Sequence, residues 1–98
     1  MLRHIVMFKL KETPGKKENI QRLKQAIQAL QDRIGEVKSM ETGINVNSKP
    51  AAYDLVLVSD FEDEAALEKY RVHPEHKKVL ELIKEVNDQI AVVDYHCG

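Results

Sequence analysis

Apolar residues recur along this chain with two distinct periods, and the alternation between them lays out the fold. Residues 2–10 alternate Leu2, His4, Val6, Phe8 and Leu10 on one face against Arg3, Ile5, Met7 and Lys9 on the other. That period of two is a β-strand, and apolar side chains on both faces imply that both faces are covered. After the Thr13-Pro14-Gly15 turn the spacing changes. Ile20, Leu23, Ile27, Leu30 and Ile34 follow at three- and four-residue steps, which predicts an amphipathic helix over 16–34 with Gly35 as its stop. Residues 40–46 return to alternation, and Asn47-Ser48-Lys49-Pro50 is a connecting loop. Residues 52–60 hold the unbroken run Leu55–Val58, the mark of a central strand buried on both faces.

Asp63 is placed to cap a helix over 64–71, because a carboxylate accepts the free N–H groups of a first turn. Pro74 disfavours helical geometry at His73 and suits the first position of a further helix over 74–87. That helix carries Val79, Leu82, Ile83 and Val86 on one side and ends at Asn87-Asp88. A last strand covers 90–96. The order β-α-β-β-α-β is the ferredoxin-like pattern, an α+β subunit with a four-stranded antiparallel sheet. Residues 1–98 form a single domain, without internal repeats, low-complexity segments or linkers. The helices can cover one face of such a sheet. The apolar character of the other face predicts a homodimer that buries more than roughly 1,200 Å².

Composition narrows the function classes. Fifteen Lys and Arg stand against sixteen Asp and Glu, so no basic excess exists to hold a nucleic acid. The apolar N-terminal stretch is short and broken by Lys9 and Lys11, so it reads as a strand and not as a signal peptide or membrane span. The one cysteine, Cys97, forms no internal disulfide, which fits a reducing compartment and an expected cytoplasmic location.

Candidate chemistry gathers at Tyr70-Arg71-Val72-His73-Pro74-Glu75-His76, where the proline breaks the helix and collects a tyrosine and two histidines at one corner. Histidine beside tyrosine is the usual material for proton transfer near neutral pH. Asp94 interrupts an apolar strand and shares parity with Ile90 and Val92, so it needs a hydrogen-bonded partner. His76 on the first turn of the last helix is the expected partner: the carboxylate would orient the ring and raise its basicity. Tyr70 would donate a hydrogen bond to a substrate oxygen. His4 and Asp94 are both expected on the helix-covered face. Each residue also has a structural alternative: His4 as a core histidine, His73 as a helix cap, Tyr70 as a core-edge side chain, and His76 with Asp94 as a tie between helix and strand. No Gly-rich phosphate loop or nucleophile motif is present, and neither a histidine-ligated metal nor another cofactor is expected.

The chain resembles the stress-responsive dimeric A/B barrel (Dabb) family over nearly its whole length. The resemblance rests on His4-Ile5-Val6-Met7-Phe8-Lys9-Leu10, Gly43, Phe61-Glu62, the Tyr70–His76 segment and Val93-Asp94-Tyr95. It implies a homodimer whose two sheets join in a dimeric α/β barrel. Some plant members look like polyketide cyclases that work without a cofactor, and there a tyrosine and a histidine serve the reaction while an aspartate orients the histidine. The matching positions are Tyr70, His76 and Asp94, and His4 matches a pocket histidine. His73, Val6 and Phe8 join His4 as expected substrate contacts. The first helix departs from the cyclases, with Ile20, Leu23 and Ile27 where they carry aromatic residues.

Two functions follow. One is a cofactor-free lyase, cyclase or isomerase acting on a small carbonyl compound, with His76 as general base. The other is a non-catalytic stress-response protein that dimerises and binds a small apolar ligand. Cofactor-free oxidation is a weaker third, disfavoured by the absence of tryptophan and the scarcity of aromatics.

Overall fold

The computed structural model describes every residue, Met1–Gly98. Four strands, β1 (Leu2–Leu10), β2 (Ser39–Ile44), β3 (Leu55–Phe61) and β4 (Asn87–His96), form one antiparallel sheet in the order β2-β3-β1-β4. Helices α1 (Lys16–Gln28) and α2 (Leu30–Arg33) join β1 to β2, while α3 (Glu64–Val72) and α4 (Pro74–Val86) join β3 to β4. The ferredoxin-like reading of the sequence is thereby met.

Strand parity decides the core. Leu2, Val6, Phe8 and Leu10 of β1 and Leu55, Leu57 and Phe61 of β3 are buried beneath the helices. Leu23, Ile27, Leu30, Ile34, Val79 and Val86 meet them from the other layer. The opposite face of the sheet has no helix on it. Met7, Val93 and Tyr95 are exposed there, in register with Val56, Ile5 and Arg3 respectively.

Several boundaries shift. The predicted 16–34 helix is interrupted at Ala29, which keeps right-handed helical angles and donates to the Gln25 carbonyl, so the path continues into α2. The helix ends just before Gly35, with Ile34 leaving it in extended geometry, and Gly35 itself keeps a negative φ. The helical caps behave as read: Asp63 Oδ1 accepts from the Ala66 N–H at 2.9 Å, and Pro74 opens α4. The last helix ends at Asn87, as read. Asn87 already pairs with Leu10, and a register shift beside it leaves Asp88 as the extra residue of a bulge.

Candidate functional site

A cavity of about 350 Å³ opens between the helices and the β1–β4 half of the sheet. Its walls are mostly apolar, with Val6, Phe8 and Leu57 below, Ile27 at one side, and Val79, Leu80 and Ile83 of α4 above. Ile90 and Val92 of the edge strand β4 complete it and remain about half exposed. The polar side chains that reach it are His4, Tyr70, Arg71 and His76.

Each of these is positioned by a local rule. His4 lies directly opposite Asp94 in the antiparallel register of β1 and β4, so both side chains stand on the helix-covered face, as their parity predicts. The Asp94 carboxylate accepts a hydrogen bond from Nδ1 of His4. With Nδ1–H donating, the neutral ring carries its lone pair on Nε2. Tyr70 ends the buried stripe of α3 and is 2% exposed. Its ring packs on Phe61 at 5.1 Å and on His76 at 4.4 Å between centroids. Burial pushes its phenol up to about 12, so it stays a proton donor throughout the physiological range.

His76 departs from the sequence reading. Its Nδ1 lies 3.0 Å from the Arg71 carbonyl oxygen and makes no hydrogen bond to Asp94. The helix break at His73 and Pro74 explains this. It leaves carbonyls at the end of α3 without helical partners, and the first turn of α4 brings His76 onto one of them. A carbonyl only accepts, so Nδ1 again carries the hydrogen and Nε2 is the basic nitrogen. Burial holds the pKa of His76 below its ordinary value, the hydrogen bond to the Arg71 carbonyl partly opposes this, and the nearby Arg71 charge lowers it further. Asp94 is satisfied instead by the nearer His4 across the strand pair and, at 3.5 Å, by Arg71 Nη2. Arg71 therefore bridges the two, with its carbonyl on His76 and its guanidinium on Asp94.

His73 does not line the cavity. Its Nδ1 accepts from the Glu75 N–H at 3.1 Å and caps α4, the structural alternative noted for it. His4, Val6, Phe8, Tyr70 and His76 all line the cavity, whereas Asp94 does not and reaches it only through His4. Nor do His4, His73, His76 and Asp94 converge as a metal-binding cluster.

Arg71 and Leu80 went unassigned in the sequence reading. The signal for Leu80 was present: His76, Val79, Leu80 and Ile83 follow the 0, +3, +4, +7 spacing of one helix face. Arg71 had no such signal beyond its place next to Tyr70.

The arrangement can take a proton from an apolar-bound substrate onto a neutral imidazole and support the developing oxyanion with a phenol. The chain belongs to the stress responsive A/B barrel domain family, which matches residues 2–97. It is similar to an uncharacterized protein of Streptomyces coelicolor, 32% identical over 97% of this chain and 98% of that one. Among solved structures it is similar to a dimeric protein of unknown function with a ferredoxin-like fold from Bacteroides fragilis. That likeness has a TM-score of 0.89 and 31% identity and covers 98% of this chain and 95% of the other. The fold is shared with a hydroxynitrile lyase from Passiflora edulis, with a TM-score of 0.84 and 18% identity over 96% of this chain and 90% of the other. No helix of the chain is long and apolar enough to cross a membrane.

Proposed function

We propose that this protein is a cofactor-free enzyme that moves a proton next to a carbonyl group in a small, largely apolar substrate, as a lyase, cyclase or isomerase does. The observation that carries the reading is the convergence of Tyr70, His76 and the Asp94-held His4 on one mostly apolar cavity. In this reading His76 Nε2 is the base. The C–H bond α to the carbonyl breaks, its proton passes to Nε2, and its electron pair moves onto the carbonyl oxygen as an enolate. The Tyr70 hydroxyl donates to that oxygen, and the surrounding apolar walls strengthen the interaction by excluding water. Asp94 serves His4 and not His76, fixing the ring so that its Nε2 is a second polar contact for the substrate.

The hydroxynitrile lyase shares the fold but lends no substrate at this distance. We also propose that the working form is a homodimer joined through the helix-free sheet face. Its exposed Met7, Val93 and Tyr95 support this, as does the dimeric state of the Bacteroides fragilis relative.

The test is α-proton exchange of 2-octanone in deuterium oxide, followed by NMR. The protein should accelerate exchange over buffer, and His76→Ala should lower that acceleration by about 10²–10⁴-fold while circular dichroism stays unchanged. Equal exchange with wild type and His76→Ala would refute the enzymatic reading and favour a binding protein.

A further inference from the structure

We infer that the ligand of this cavity carries a carboxylate, or an anion of the same shape, and that Arg71 at the rim receives it. The inference rests on the cavity being the functional site and deepens that reading by naming the ligand class.

The charge distribution points this way. Arg71 is the only permanently charged side chain among the cavity-lining residues, and no carboxylate is among them. The other polar groups are a phenol that stays protonated and two imidazoles, of which His76 is held toward its neutral form by burial. A ligand in the cavity thus meets apolar walls along most of its length and one cation at the rim.

Arg71 is also loosely held. Its contact with Asp94 Oδ2 is a single one at 3.5 Å, and about half of its side chain is exposed. Asp94 Oδ1 is already engaged by His4, so the aspartate does not depend on Arg71 for its hydrogen bonding. Glu64 and Glu68 share a neighbouring groove with Arg71 and Asp94, yet neither forms an ion pair with the guanidinium. A guanidinium has five N–H donors in a planar fork, and this one spends a single long contact. A carboxylate arriving from the cavity side finds the remaining donors free for a bidentate pair. A neutral ligand would leave them to water. The Arg71 side chain is a binding and specificity element in this scheme, while only its backbone carbonyl meets the base His76.

The experiment compares octanoate with octanamide, two probes of equal length and like shape that differ in charge, by isothermal titration calorimetry. Wild type should bind octanoate at least about threefold more tightly, the modest end for a half-exposed charge pair. Arg71→Met keeps the apolar stem and should abolish the preference by weakening octanoate alone. Added sodium chloride should narrow the preference in wild type and leave Arg71→Met unaffected. Equal affinities in wild type overturn the inference, as does loss of both ligands alike in Arg71→Met, which would make the side chain a packing element. Failure of octanoate to bind saturably overturns it too. The enzymatic reading is judged separately through His76→Ala. Wild type that prefers octanoate yet accelerates no α-proton exchange would uphold Arg71 and dismiss the chemistry.

Discussion

Replacing Asp94 with leucine isolates what the strand-to-strand histidine pair contributes. In the native fold the Asp94 carboxylate takes the Nδ1–H of His4, whose side chain is 10% exposed while that of Asp94 is 28% exposed. Leucine is close to aspartate in size and suits a strand, so the change removes the acceptor and leaves the His4 N–H unpartnered. An orphaned buried donor costs about 1–3 kcal/mol. Water can reach the partly open position 94, which places the expected loss in the lower half, about 1–2 kcal/mol. For a domain of this length that corresponds to a fall in Tm of about 5–15 °C. The double variant His4→Leu/Asp94→Leu removes donor and acceptor together. It should recover about 1 kcal/mol relative to the sum of the single changes, because replacing both partners by apolar groups avoids the orphan. The assay is urea unfolding of all four proteins at one protein concentration, since a dimer's midpoint shifts with concentration. Additivity of the two single variants within about 0.3–0.5 kcal/mol would show that the pair contributes no coupling and refute the reasoning.

Tyr70→Phe should separate chemistry from packing. The hydroxyl has no hydrogen bond within the protein, so unfolding should shift by less than about 1 kcal/mol, whereas loss of the oxyanion donor should lower 2-octanone exchange by about 10²–10³-fold; a large stability loss with exchange intact would reverse the assignment. The pH profile follows from His76, whose pKa is lower folded than unfolded. Its neutral form is favoured in the fold, so its contribution to stability is fully present above the unfolded value of 6.5 and is lost as pH falls through the lower folded value. Exchange should accordingly hold constant across neutral pH and fall on an acid limb with a midpoint below 6.5, absent from His76→Ala. Tyr70, raised to about 12, should add no alkaline limb near neutrality. Val93→Lys, on the helix-free face opposite Ile5, should give a monomer by light scattering. An unchanged dimer would move the interface elsewhere.

The order and type of the elements were legible because each depends on a short-range period. Alternation in 2–10 cannot be a helix, the three- and four-residue steps of Ile20 to Ile34 cannot be a strand, and Pro74 must break what precedes it. Parity alone also put His4 and Asp94 on the buried face. Their pairing with each other is a matter of register between the first and last strands, and no local pattern records which residue of β1 faces which residue of β4. A slip of two residues would preserve every buried side chain and change the partner. The sequence reading therefore gave Asp94 to His76, a plausible neighbour through α4, while the sheet placed His4 directly opposite. His76 was likewise claimed by a backbone carbonyl that the break at His73 left free, a partner with no signature in side-chain spacing. The sequence alone determined which residues are apolar, where the chain must turn and which polar groups need partners. Only tertiary structure decided which partners they find, because a hydrogen bond spans about 3 Å whereas His4 and Asp94 lie ninety residues apart along the chain.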